Sequence, residues 1–193
     1  MIYLNSTRIL AALLIAALSA CGGGPSSSFG SGGSSSNPPS EAAELSGYFI
    51  GGPISGAQYQ IQGSNSIPLT GGDGGFKYFS GDIIQFAIGS ITLGKSLAAE
   101  FITPMDIQSS EQAAINLSRF LLTLDEDKDP DNGIQISSTV RDAAAGLSFS
   151  ASEFEATDGE FDGSALADFA RSANGDSRAL IARRIAEIEL ACS

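Results

Sequence analysis

The spacing of hydrophobic residues changes along the chain and divides it into four segments. Residues 1–20 contain a continuous apolar run, and residues 21–44 are almost free of large apolar side chains. Residues 45–102 carry short runs of period two, whereas residues 103–193 follow a helical period. These periods predict strands and then helices. The expected fold class is therefore α+β: a small antiparallel β-sandwich followed by a helical segment, preceded by a signal peptide and a disordered tether.

The strand-rich segment consists of β-type runs separated by glycine. Tyr59 and Ile61 alternate with glutamines, which is typical of a half-buried strand. Residues 71–75 supply a turn whose glycines adopt positive φ easily. About six strands are predicted, at residues 48–50, 58–62, 67–69, 76–79, 83–88 and 91–93. This spacing is typical of a small sandwich.

The helical segment follows Thr103-Pro104, and its first long helix is predicted to be central. Ser109 or Ser110 can cap this helix, which runs to about Leu124 and is apolar on more than one face. Asn116 within it is expected to be a core amide with its hydrogen bonds satisfied. Further helices are predicted at residues 138–145, 164–172 and 178–191, the last one capped by Asp176 and buried along a stripe of Ile181, Ile185, Ile188 and Cys192.

Three stretches of the strand-rich segment carry a family resemblance. Residues 54–59, 73–78 and 86–89 resemble the transthyretin-like or carboxypeptidase-regulatory-like β-modules of bacterial surface proteins. Most members of that class are spacers or binding modules, so the resemblance implies a module without enzyme activity. Residues 116–125 and 129–134 resemble a helical module of poorly characterised proteobacterial surface lipoproteins. No activity comes with that second resemblance.

The first 20 residues have the organisation of an export signal. Arg8 precedes the apolar run at residues 9–18, which is too short to span a bilayer but suits a cleavable signal. Leu18-Ser19-Ala20-Cys21 resembles the lipobox of bacterial lipoproteins. That resemblance implies diacylglyceryl transfer to the Cys21 thiol and cleavage before this residue. Gly22, where aspartate would signal retention in enteric-type sorting, resembles the outer-membrane default.

Residues 21–44 are predicted to be a lipidated flexible tether. Gly, Ser and Pro dominate this segment, and Phe29 is its one large aromatic residue. Such a composition cannot bury enough apolar surface to offset the entropy of ordering the chain. The expected role of the tether is spacing from the membrane.

Composition narrows the function classes. The 193 residues carry 10 Lys and Arg against 22 Asp and Glu, a net charge of −12, which disfavours nucleic acid as a partner. There is no histidine, so the commonest general base and the Ser-His and Cys-His nucleophile pairs are missing. If Cys21 carries lipid, Cys192 is the remaining cysteine, and no internal disulfide is expected.

The acidic loop at residues 125–133 is the candidate metal site. Its alternating acids resemble the start of a calcium loop, in which hard oxygen ligands surround one ion, and the candidate ligands are Asp125, Asp127, Asp129 and Asp131. The acids follow the negative end of a helix dipole, so water, salt or a bound cation should offset them. The EF-hand pattern fails, because Pro130 replaces the turn glycine and Ile136 replaces the bidentate glutamate.

The alternative is a solvated turn, which Pro130 and Asn132-Gly133 would explain without a metal. A second acidic stretch at residues 158–163 is predicted to be a loop that could bind a cation or simply link two helices.

Three functions remain open at this point. The preferred one is a lipid-anchored, non-enzymatic envelope lipoprotein, held on the membrane through its anchor, that binds an envelope protein or a polysaccharide. The second is a calcium-stabilised adhesion or surface module, compatible with the first. The third is a polysaccharide-active enzyme with paired carboxylates, although no pattern in the sequence places two acids across a cleft. We therefore expect no enzyme activity.

Overall fold

The computed structural model describes residues 42–175 and 177–191, which belong to one compact unit. The predicted signal peptide, Cys21, most of the tether, Asp176 and Cys192 lie outside the described residues. The α+β class is confirmed. The strands are β1 Leu45–Phe49, β2 Ile54–Ser55, β3 Gln58–Ile61, β4 Gly75–Tyr78, β5 Ile83–Ile88, β6 Ile91–Leu97, β7 Phe101–Ile102 and β8 Ile134–Gln135. The helices are α1 Pro104–Ile107, α2 Glu111–Leu124, α3 Ser138–Ala144, α4 Asp158–Asp162, α5 Ala165–Ser172 and α6 Arg183–Ala191.

The strands form two three-stranded sheets and one two-stranded sheet. The first sheet has the order β4-β1-β7, the second β3-β5-β6, and β2 pairs with β8. The first two sheets face each other through aromatic rings: Phe49 stacks on Phe86 at 4.1 Å between centroids, and Phe76 meets Phe86 edge-on at 5.5 Å. Such pairs add packing energy beyond the apolar area they bury.

The pairing directions depart from a purely antiparallel sandwich. β1 is antiparallel to β4 but parallel to β7, and β2 is parallel to β8. Since β8 follows the long helix in sequence, the strand-rich and helical segments share a sheet. They also share one hydrophobic core, which extends from Phe49 to Ala186.

Strand β5 lies between β3 and β6, and alternation explains which of its faces is buried. Ile84, Phe86 and Ile88 are fully buried, while the residues between them point outward. The turn before β4 needs a glycine, because Gly74 has a φ of 78° and a Cβ there would lie 2.5 Å from the carbonyl oxygen of Phe49.

The strand predicted at residues 67–69 does not form. Leu69 makes only an isolated bridge to Gln58, and Ile67 and Leu69 are both exposed. Pro68 between them has no N–H to donate to a ladder, and its carbonyl instead accepts the Tyr59 N–H at 2.9 Å.

Helix α2 is central, as predicted. Ser110 caps it by accepting the Ala113 N–H at 3.2 Å, and every residue from Ala113 to Leu124 is buried. The helix packs against α1, α5 and α6. Asn116 is the satisfied core amide that the sequence predicts: its Nδ2 donates to the carbonyls of Phe154 and Ala156 at 2.9 and 2.8 Å.

Two predictions for the C-terminal part are wrong. Residues 158–162 form helix α4, because Thr157 and Glu160 make a capping box that starts a helix. The last helix begins at Arg183 instead of Arg178, because the preceding residues hydrogen-bond to α2. The predicted buried stripe is also partly exposed, with Ile185 at 44% and Ile188 at 54%.

Among residues 42–175 and 177–191, no helix combines the length and hydropathy needed to cross a bilayer.

Candidate functional site

The acidic loop begins at the last turn of α2. Asp125 is the C-cap residue of that helix and is almost completely buried, whereas Asp127, Asp129 and Asp131 are exposed. The loop then passes through a 3₁₀ turn and enters β8. The four predicted ligands thus lie close together in sequence but differ in solvent exposure.

Their carboxylates accept hydrogen bonds from the loop itself. Asp127 Oδ1 accepts the Asp129 N–H at 2.9 Å, and Asp129 Oδ1 accepts the Asp131 N–H at 3.2 Å, which are the local turns that aspartate favours. Asp125 Oδ1 accepts the Gln135 N–H at 2.9 Å. Within the described part of the chain, no group of three or more Asp, Glu, Cys or His is placed to hold a metal ion. This geometry favours the plain-turn interpretation, and the calcium hypothesis stays a prediction.

Asp125 and Asp127 have pKa values shifted in opposite directions. Burial raises the pKa of Asp125, and the neighbouring Asp127 charge adds to that rise. Hydrogen bonds from the Asn132 side chain, at 2.8 Å, and from the Asp129 backbone lower the pKa of Asp127. Asp127 is therefore the more strongly ionised of the two.

The guanidinium group of Arg178 supplies a positive charge at this helix end. Arg178 donates to the carbonyls of Thr123 at 3.3 Å and Glu126 at 3.2 Å, and also to that of Asp125. Asn174 Nδ2 donates to the Leu124 carbonyl at 3.0 Å. These carbonyls would otherwise lack partners at the end of α2.

Sequence reasoning missed this role of Arg178 and placed the residue at the start of the last helix. Arg178 lies far from the loop in sequence, and no local pattern marks it as a helix cap. An open groove of about 310 Å³ lies beside it, with mainly apolar walls from Leu122, Ala179, Ile181 and Ile185.

The second acidic stretch contacts a buried arginine of α2. Arg119 on α2 is buried, and its Nη2 donates to Asp162 Oδ1 at 2.5 Å while its Nε donates to the Ile181 carbonyl at 2.9 Å. The guanidinium also lies 5.5 Å from the ring centroid of Phe161. One buried side chain thus joins α2 to α4 and to the segment before α6.

Gln112 extends this network toward the start of α2. Its amide donates to Asp158 Oδ1 at 2.9 Å and accepts from Arg183 Nη1, which also contacts Asp158 at 3.0 Å. The Gln112 hydrogen bond is the main reason why the pKa of Asp158 is lowered, with Arg183 and Arg119 adding to the effect. The pairing of Arg183 with Glu187, expected from their i,i+4 spacing, is present at 2.6 Å.

Comparisons of the chain with protein-family models, with curated proteins and with solved structures found no match. The resemblances to a transthyretin-like module and to a proteobacterial lipoprotein module therefore stay predictions.

The polar network around Arg119 predicts a large loss of stability in Arg119→Met. The methionine fills similar space but leaves Asn116 and the Ile181 carbonyl without the guanidinium. We expect the free energy of unfolding to fall by about 2–4 kcal/mol, less than for a fully buried pair because Asp158 and Asp162 are half-exposed. Urea unfolding followed by circular dichroism measures this change.

The matched control is Arg171→Met, whose guanidinium binds the exposed Asp168 carboxylate and the Asp162 carbonyl at the surface, so the loss should be below about 1 kcal/mol. Equal losses for the two variants would contradict the assigned role of Arg119.

The opposite pKa shifts predict opposite effects of two Asp→Asn changes. The raised pKa of Asp125 means that its ionisation costs stability as pH rises from its unfolded pKa through its folded pKa. Asp125→Asn should therefore be at least as stable as the wild type at pH 7, with the difference shrinking in acid. The lowered pKa of Asp127 means that its stabilising effect is lost in acid, so Asp127→Asn should be less stable than the wild type at pH 7. Urea unfolding between pH 3 and 7 would refute this assignment if both variants shifted stability in the same direction.

The hydrogen-bonded loop predicts a melting temperature that is independent of calcium. Calcium at 100 times its dissociation constant would raise the free energy of unfolding by about 2.7 kcal/mol, or the melting temperature by roughly 5–10 °C. We expect a difference below about 1 °C between excess calcium and chelator. Differential scanning calorimetry with magnesium as the control measures it. A rise specific to calcium, abolished in Asp129→Asn, would instead establish the calcium-stabilised module.

Proposed function

We propose that this chain is a lipid-anchored lipoprotein of the cell envelope and that its folded part is a non-enzymatic binding or structural module. The observation that carries the proposal is Leu18-Ser19-Ala20-Cys21 directly at the end of an apolar run. A Gly- and Ser-rich segment then leads to β1 at Leu45. This order of signal, acylated cysteine, tether and fold is that of a bacterial lipoprotein.

The anchor accounts for membrane attachment without a transmembrane helix. Each buried CH₂ group contributes about 0.8 kcal/mol, and a single acyl chain binds a membrane only marginally. Two or three chains on Cys21 hold the protein firmly. Gly22 after the cysteine resembles the outer-membrane default of enteric-type sorting and so supports an outer-membrane location in a diderm bacterium.

The roles of the acidic residues support a module without catalysis. The carboxylates of Asp162 and Asp158 pair with the guanidinium groups of Arg119 and Arg183. The Asp125 carboxylate, at the end of α2, accepts the Gln135 N–H. The chain also lacks histidine. The partner classes that fit an envelope-facing module of this kind are an envelope protein or a polysaccharide.

Intact-mass measurement of the membrane-extracted protein tests the proposal. We expect the wild-type chain to begin at Cys21 and to carry the added mass of a diacylglyceryl group, with or without a third acyl chain on the amine. Cys21→Ser should carry no acyl mass, because the thiol is the site of transfer. Cys192→Ser is the matched control, since it removes the other cysteine and should leave the acyl mass unchanged. A wild-type chain that carries no acyl mass would refute the proposal.

A further inference from the structure

Exposed apolar side chains gather at one end of the β-sandwich. Leu45, Phe79, Ile83 and Leu97 are 40%, 42%, 40% and 64% exposed. We call these four residues the apolar end. Single exposed apolar residues are common on protein surfaces, whereas several at one end indicate a contact surface.

The strand register brings the four residues to the same end. Leu45 at the start of β1 lies opposite Tyr78, which directly precedes Phe79. Ile83 at the start of β5 lies opposite Leu97 at the end of β6. The turn between Phe79 and Asp82 connects the two sheets, with the Phe79 N–H donating to Asp82 Oδ2 at 2.7 Å. The apolar end therefore spans both layers of the sandwich.

The chain enters the fold at this end. Leu45 is the first residue of β1, and the segment before it connects the fold to Cys21. The 24 residues from Gly22 to Leu45 reach at most about 80–85 Å from Cys21 even when fully extended. Of the described strands and helices, β1 is the nearest to Cys21 along the chain, so the membrane that holds the anchor stays within reach of the apolar end.

We propose that the apolar end contacts the surface of the bilayer into which Cys21 is inserted, an inference that rests on the lipidation proposed above. Apolar side chains enter the boundary between headgroups and acyl chains, where they leave water. Four half-exposed residues bind a membrane weakly on their own. The tether makes this contact intramolecular, at an effective concentration in the millimolar range.

The contact is apolar rather than electrostatic. The chain has a net charge of −12, so anionic lipids repel it. Lys77, which lies near this end, donates to Ser46 Oγ at 2.6 Å. We therefore expect binding to zwitterionic lipid that does not weaken with salt.

A single introduced tryptophan tests the inference, because the chain has none. The full-length, lipidated Leu97→Trp protein is reconstituted in phosphatidylcholine vesicles with brominated acyl chains, which quench tryptophan at the bilayer. Ile188→Trp is the matched control, since Ile188 is 54% exposed on α6, a helix that packs on α2. We expect Leu97→Trp fluorescence to be quenched more strongly, by a factor on the order of two or more, with a blue-shifted emission. Ile83→Trp should repeat the result if Leu97→Trp disturbs the fold.

Three results would overturn the inference. Equal quenching of the two variants in a sample with acyl mass would refute the bilayer contact and leave the anchor intact. Blue-shifted but unquenched Leu97→Trp emission would show that a second copy of the chain covers the apolar end. A sample without acyl mass would refute both the anchor and the contact.

Discussion

Helix α2 is buried on every side from Ala113 to Leu124, so each polar side chain on it needs a partner inside the protein. Arg119 meets this constraint most fully, because it joins α4 and the segment before α6 to the central helix. Asn116 fixes the 3₁₀ turn that ends at Glu155 through two backbone carbonyls. The short C-terminal helices have too few residues to be stable alone. Their position therefore depends on the polar contacts of α2 as well as on the apolar core.

The same reasoning explains the acidic loop. Acids at a helix C-terminus are unfavourable, and a bound cation is one way to offset them. In this fold the cation is Arg178, whose guanidinium binds three carbonyls around the helix end. The carboxylates of Asp127 and Asp129 accept backbone N–H groups within the turn. The loop thus has a structural explanation that requires no ligand.

The sequence could predict those features that depend on interactions between residues close together in the chain. The alternation of Tyr59 and Ile61 with glutamines and the Ser110 cap are local patterns, and both identified their elements correctly. The capping box at Thr157 is also a local pattern, but the acidic and glycine-rich composition of residues 158–163 predicted a loop instead. The partners of Arg119 and Arg178 come from distant parts of the chain, so no spacing rule could identify them. The calcium site at residues 125–133 stays a prediction from composition, whereas the contacts of Arg178 beside it are tertiary.

The fold has two dissimilar regions, and this difference bears on how it would work at a membrane. The helical region is held by the buried Arg119 side chain, which pairs with the half-exposed Asp162, and by a partly exposed pair of Arg183 with Asp158. The apolar end of the β-sandwich differs, because its exposed side chains are hydrophobic. It includes Leu45, the first residue of β1 and so the part of that strand nearest to Cys21 in sequence. A lipid anchor fixes only one point, so a tethered body would otherwise rotate freely. A weak second contact at the apolar end would orient the body, because the tether already supplies the proximity.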